Sequence, residues 1–522
     1  MKTGVVHNPV LGPGFSGPGA WGWVTVLLGV CFGLGLAFTY SNPVMIIAGL
    51  TSVFGLIVFI YLTVTYPLAM LCIVVASQIL IPVYVRFPFN VPPPLFTLGM
   101  LMVISTARMM LNPVPSKPGK YEHLIATVLV MYNVALVLTI PNEHASAGSY
   151  KMYIQAVFVP TTLFFFVLAT VRSPQQLLYV FRTITIAAVL CGLLGLHEFT
   201  FQKSYLADIF APKVTIEEDF FLYMLAHADE VDGFITGSLY RVYSFFTQPL
   251  EYSAFMVMSF SFAALMFVTA KTGMSRILYG LATGIIFLGF IVSFSRGPTL
   301  ALGIVILFLG VFEPRVRPWI LAGTAAAVAG VVIYWSSIVE KLSDRITGSE
   351  NITMRFSLWK NGLSIFRDNP VRGIGYGSYP NYHVDAIREN QIGPMYEYPW
   401  PHIERVTTVE NIFVSLAAET GLLGLSFFAL VLGINFFVFQ RIYKRCHDEL
   451  TKVMALSAFG ACLAYLLSGM TVSINTFYTT SILFFGIYIA ALAVLSRELP
   501  DDGTTEPISD TDDTITYAKR SA

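Results

Sequence analysis

The sequence predicts an all-α protein: a polytopic membrane bundle of about fourteen transmembrane helices, with a large helical outer loop between late spans. Three observations lead there. Apolar residues make up 55% of the chain and charged residues 12%, for a mean hydropathy of +0.69. A soluble domain carries roughly 25% charged residues, so most of this surface must face lipid. Apolar runs of roughly twenty residues recur along the chain, each long enough to cross about 30 Å of hydrocarbon as a helix. The basic residues fall mainly on alternate loops.

The first segment, residues 1–20, is rich in Gly and Pro and carries one charged side chain, Lys2. The apolar run after it lacks a small-x-small cleavage pattern and is too long for a signal-peptide core, so it reads as a retained first span. The membrane domain, 21–498, then holds spans near 21–39, 43–61, 64–84, 94–111, 122–140, 152–171, 175–196, 250–270, 276–294, 298–313, 318–337, 415–438, 453–471 and 476–496. Pro67 and Pro82 interrupt the third, and the tenth is short. No linker or repeat divides the set. Charged residues mostly avoid span centres, with Arg182 the main exception.

If the N-terminus is cytoplasmic, the inner loops hold Arg108, Lys117, Lys120, Arg172, Lys271, Arg276, Arg315, Arg317, Arg441, Lys444, Arg445 and Lys452. The short outer loops then hold only Arg86, Lys151 and Arg296. That asymmetry fits the positive-inside rule and places both termini in the cytoplasm. Two long polar segments, 197–249 and 337–408, fall outside. The tail, 499–522, is acidic and Thr-rich and is expected to be disordered and cytoplasmic. Zero net charge argues against nucleic acid as a partner. Cys31, Cys72, Cys191, Cys446 and Cys462 form neither a disulfide framework nor a zinc pattern, so free thiols are expected.

Four local patterns follow in order through the second half. Arg241-Val-Tyr-Ser-Phe-Phe-Thr-Gln-Pro249 precedes a span. Ser293-Phe-Ser-Arg-Gly-Pro298 sits at an outer turn. Arg355, Trp359 and Asp368-Asn-Pro-Val-Arg-Gly-Ile-Gly-Tyr-Gly377 lie in the large outer loop. Glu410-Asn411 is followed, nine residues on, by Gly421-Leu-Leu-Gly424.

Together these resemble the O-antigen ligase and Wzy-type polysaccharide polymerase superfamily of the bacterial inner membrane. There an Arg-x-x-Gly-x-Phe-x-x-Pro element, a Ser-Arg turn, a periplasmic Arg…Trp…Asn-Pro-x-x-Gly-x-Gly loop and a His-Asn-x9-Gly-x-x-Gly element occur in the same order. Two positions depart: Ser244 replaces a glycine, and Glu410 replaces the histidine of the ligases. An acidic residue there is more like the polymerases of O-antigen or exopolysaccharide repeat units. The resemblance implies a glycosyltransferase that takes a glycan from undecaprenyl diphosphate and passes it to a glycan acceptor at the periplasmic face. Membrane lipids and other polysaccharide export proteins are the further partners expected. The alternatives are an O-antigen ligase acting on lipid A core and, in a different class, a polysaccharide flippase or transporter. A transporter should show repeats and midplane ionisable residues.

That chemistry needs cations for the diphosphate and a base for the acceptor hydroxyl. Arginine suits diphosphate because its planar fork gives two parallel hydrogen bonds. Arg296, Arg241 and Arg355 are the candidates, with Ser295, Asn411 and Trp359 in support. The plainer readings are snorkelling for Arg296, a surface charge for Arg241, ion pairing for Arg355 and packing for Trp359. Phe356, Trp359, Leu363 and Phe366 predict an amphipathic helix over 354–366, ended by Asn369-Pro370. Glu410 is the candidate base and His402 the reserve. Thr407-x-x-Glu410 also fits a capping box, which would explain the glutamate without catalysis. Glu419, nine residues on, falls on the opposite helical face about 13 Å away. The two carboxylates then cannot form a retaining pair, and direct inverting displacement is expected. No Asp-rich or Walker-type motif occurs, so neither metal nor cofactor is expected.

Overall fold

The computed structural model describes residues 55, 57–82, 98, 99, 101, 119–204, 206, 235, 236, 239–323, 350–382, 409–472 and 478–500. The expected span at 21–39, most of those at 43–61, 94–111 and 318–337, both termini, Cys31 and His402 lie outside them. The helices are α1 (Pro67–Leu80), α2 (Lys120–Thr139), α3 (Ala147–Thr170), α4 (Pro174–Phe201), α5 (Pro249–Thr269), α6 (Gly273–Ile291), α7 (Arg296–Phe312), α8 (Glu350–Asp368), α9 (Ile412–Arg445), α10 (Glu449–Gly469) and α11 (Tyr478–Glu498). Two-residue strands β1 (Ile235–Thr236) and β2 (Leu239–Tyr240) pair antiparallel. Among the described residues, eight helices are long and apolar enough to cross a membrane, and α1 and α7 are shorter apolar helices.

Helix starts follow local signals. Ser173 accepts from Gln176 N and Pro174 occupies the first turn of α4. Thr272 caps α6, Asp448 caps α10, and Pro249 opens α5. These residues satisfy or remove N–H groups that a helix leaves unpaired.

Helix α11 forms the centre. It is buried from Thr479 to Ser496 and apolar on every side over Ile482–Leu495, the pattern of a helix enclosed by others. It packs on α2, α3, α9 and α10, and widens to a π-helix over Ile482–Tyr488 where Gly486 meets Pro160 and Leu163 of α3. Helix α6 is the opposite case. Ile277, Leu278, Leu281, Leu288 and Ile291 are exposed on it, which in this chain means facing lipid.

Alternation of the helices brings the basic residues to one end. There Arg497 donates to both carboxylate oxygens of Glu122, at 2.6 and 2.9 Å, and to the carbonyls of Val171 and Leu168. One guanidinium thus ties the end of α11 to the start of α2 and the end of α3. Arg315 bridges Glu313 and Glu449 at the same end, tying the exit of α7 to α10. The free state expected for the cysteines holds for Cys72, Cys191, Cys446 and Cys462.

Helix α9 is broken. Gly421 has φ 60° and ψ −156°, and Phe413 packs on Phe428 with ring centroids 6.2 Å apart, so the two pieces fold against each other as a hairpin. This differs from the single straight span expected at 415–438. The break leaves backbone groups of both pieces without helical partners, and the loop after α8 supplies them. Ile374 N and Gly375 N donate to Ala418 O and Glu419 O, closing the end of the first piece. Leu422 N and Leu423 N donate to Pro370 O and Val371 O, closing the start of the second. One six-residue stretch therefore splints both sides of the break.

Candidate active site

The splint explains why its glycines are glycines. Gly373, Gly375 and Gly377 all have positive φ, a backbone that glycine adopts without strain. A side-chain carbon on Gly373 would overlap the backbone of Glu419, and one on Gly421 would overlap that of Val371. The Gly-x-Gly-x-Gly run and the Gly-x-x-Gly element are thus two halves of one backbone contact. Ser149 Oγ, near the start of α3, donates to Gly377 O at 2.9 Å and holds the far end of the loop.

Glu419 locks that contact from within. It is buried, and its Oε1 accepts from Tyr379 N at 3.2 Å, with Gly377 N as a second donor. Burial, with Glu419 a lesser influence, holds the Tyr379 phenol above its ordinary pKa, so it stays neutral. Glu419 and Glu410 have separate partners, in keeping with the reading that they form no carboxylate pair.

Glu410 is presented differently. It precedes α9, and Asn411 is the N-cap, its Oδ1 accepting from Phe413 N and Val414 N at 2.9 and 3.1 Å. The capping-box reading of Glu410 therefore gives way: the amide one residue later caps the helix. Glu410 instead has φ 54°, a conformation costly for a side chain of its size. Its Oε2 accepts from Arg355 Nε at 2.7 Å, with the two side chains 31% and 37% exposed. The pair is open enough for a substrate to reach.

Arg355 comes from α8, which starts earlier than the pattern suggested and buries a different stripe. Leu358, Gly362 and Ile365 are buried, with Gly362 close against Val409 and Val414 and Ile365 in the same small core. Trp359 is half-buried on that small core and packs edge-on against Phe356 at 5.4 Å. Phe356 and Leu363, expected inward, are exposed, because the helix docks on its narrower Leu–Gly–Ile edge.

Arg296 is the first residue of α7 rather than part of a turn before it. It is exposed, and among the described residues its guanidinium has no polar partner. Ser295, buried at the N-cap, spends its hydroxyl on Pro249 O and Ser293 O and caps no helical N–H. The open end of α7 and the free guanidinium both attract negative charge.

A chain of contacts joins these parts. Asn411 Nδ2 donates to Met470 O at 2.9 Å, and a side-chain carbon on Gly297 would overlap the next residue, Thr471. The starts of α7 and α9 therefore meet at the turn after α10. Ser295 reaches Pro249, which carries the site on to the Arg241–Pro249 element. Arg241 is half-buried there. Ser244 has φ 51° and donates its N–H to Glu198 Oε2 at 2.9 Å. A left-handed backbone is why the related motif carries glycine at this point; here a buried carboxylate holds serine in it. Arg241, Arg296, Arg355 and Glu410 thus lie at one end of the bundle. Among the described residues, no three His, Cys, Asp or Glu side chains converge as metal ligands do.

This defines a polytopic helical membrane protein with a one-ended site of three arginines and a strained glutamate. Residues 281–429 match the family model described as O-antigen ligase. The resemblance read from the motifs therefore holds over that stretch, which is similar to the O-antigen ligase family. The matched stretch runs from α6 through the break in α9 and includes Arg296, Arg355 and Glu410. No curated protein matches the chain.

Proposed function

We propose that this enzyme joins oligosaccharide repeat units carried on undecaprenyl diphosphate, at the periplasmic face of the inner membrane, in exopolysaccharide or O-antigen synthesis. The observation that carries the proposal is the Arg355–Glu410 pair, with Arg296, unpaired among the described residues, at the neighbouring helix start. A carboxylate stands where the ligases have histidine, and cations for a diphosphate lie beside it. Arg296 and the open end of α7 hold the diphosphate, assisted by Arg355 and Arg241. Glu410 takes the proton from the acceptor hydroxyl as its oxygen attacks the anomeric carbon. The bond to the diphosphate oxygen breaks and the lipid diphosphate leaves with the electron pair, inverting the centre. His402 is the base if Glu410 serves only the ion pair.

A ligase reading differs in acceptor alone and is favoured by the description of the matching family. A strain lacking this gene, analysed for lipid-linked glycans and surface polymer, separates the two. Accumulation of single lipid-linked repeats supports the polymerase. Long lipid-linked chains not transferred to lipid A core would support the ligase instead.

A further inference from the structure

Glu198, near the C-terminal end of α4, takes no part in the chemistry proposed above, yet it is completely buried. A carboxylate out of water is costly unless donors fill its oxygens. Glu198 draws those donors from both ends of the segment between α4 and α5. Its Oε1 accepts from Ser204 Oγ at 2.9 Å, just after α4 ends. Its Oε2 accepts from Ser244 N at 2.9 Å, where the chain returns before α5, and Tyr243 N is a third donor. One side chain therefore ties the exit of that segment to its return.

The returning stretch lies along one stripe of α4. Cys191, Gly195 and Glu198 recur at four- and three-residue steps, and all three are buried. Ser244 Oγ donates to Cys191 O at 3.1 Å, so Ser244 is fastened to α4 through its hydroxyl as well as its amide. Gly195 leaves room for the chain between those points: a side-chain carbon there would lie 2.9 Å from Val242 Cγ1. Val242, Tyr243 and Ser244 are fully buried, and Arg241, the residue before them, is half-buried. The Arg241 guanidinium thus extends from a backbone that α4 fixes over the next three residues.

That backbone is not one the chain takes unaided. Ser244 has φ 51°, a left-handed conformation that an L side chain resists. We propose that Glu198 is the positioning residue for Arg241: by holding Ser244 in this conformation it sets the guanidinium where the donor diphosphate binds. The inference rests on the reading above, in which Arg241 assists Arg296 in holding that diphosphate. Serine with a buried glutamate here does what glycine does alone in the related motif. Without Glu198 the Ser244 amide loses its acceptor, the strained backbone relaxes, and Arg241 turns with it.

The test titrates the purified full-length chain in detergent with undecaprenyl diphosphate, followed by native mass spectrometry, with thermal unfolding measured alongside. Arg241→Ala should weaken retention about tenfold, as loss of a charge-assisted bond dictates. Glu198→Ala should weaken it to a similar extent, and should lose nothing further in a chain that already carries Arg241→Ala, because both remove one contact. Ser244→Gly should return part of the affinity to Glu198→Ala, since glycine adopts the backbone without help. If Glu198→Ala does not fold, Glu198→Gln takes its place in the same comparisons, with a loss of about threefold because one acceptor oxygen remains. A lowered unfolding midpoint with undiminished retention makes Glu198 a structural residue only and overturns the proposal. Losses that add in the double variant, or an absence of rescue by Ser244→Gly, overturn it as well. Undiminished retention in Arg241→Ala instead removes Arg241 from the donor site, and both readings of that residue fall together.

Discussion

Arg355 donates through Nε to Glu410 Oε2 at 2.7 Å, joining helix α8 to the residue before α9 across 55 positions of sequence. Together with the left-handed backbone of Glu410, this is the most specific arrangement at the site.

If Glu410 is the base, Glu410→Gln should abolish polymer while expression and membrane insertion stay normal. Glutamine keeps the shape and can still accept from Arg355, but it cannot take a proton. A loss of about 10²–10⁴-fold is expected, the usual contribution of a general base. Lipid-linked single repeats should accumulate, and Glu410→His should retain part of the activity. Polymer at the unaltered level from Glu410→Gln would move the base to His402.

Arg296→Ala should remove product without loss of protein, since no described contact depends on the side chain. Arg296→Lys should recover only part of the activity, because an ammonium lacks the two-pronged fork. Assay of membranes at matched protein levels decides this. Full activity of the alanine variant would leave Arg296 as a residue that reaches headgroups and nothing more.

Gly373→Ala and Gly421→Ala act on folding. Each forces an L side chain into a left-handed backbone, costing about 1–2 kcal/mol, and drives a carbon into backbone that cannot yield. Both should lower the thermal midpoint and the recovery of folded protein. Gly433→Ala, with open space around it, should change neither. Equal stability of all three would remove the splint from the account.

The orientation also has a direct test. In a chain without its native cysteines, Val371→Cys should react with an impermeant thiol reagent in intact cells. His447→Cys, exposed at the basic end, should react only after permeabilisation. The opposite pattern would invert the protein.

Much of this architecture was readable from hydropathy, because a lipid-facing helix must be apolar over a length set by the bilayer. The helices from α2 through α7, with α10 and α11, fall where the apolar runs lie. The four motifs also marked Arg241, Arg296, Arg355 and Glu410, which lie at one end of the bundle. What periodicity could not show was the break at Gly421, since the residues on both sides continue a helical pattern. Nor did it choose the buried edge of α8, because Phe356 and Leu363 are as apolar as Leu358 and Ile365. Glu198 and Glu419 went unmarked as buried acceptors. An acidic residue within or at the end of an apolar run was the available signal.

The splint at the break in α9 has a consequence for how the enzyme is made. Residues 370–375 leave the ribosome before α9, yet their backbone groups pair only once both pieces of that helix exist. Until then the interrupted helix carries amides and carbonyls without protein partners at the break. The completion of α9 and the assembly of this part of the site are therefore one event. A chain halted before Leu423 has no completed break for the loop to close.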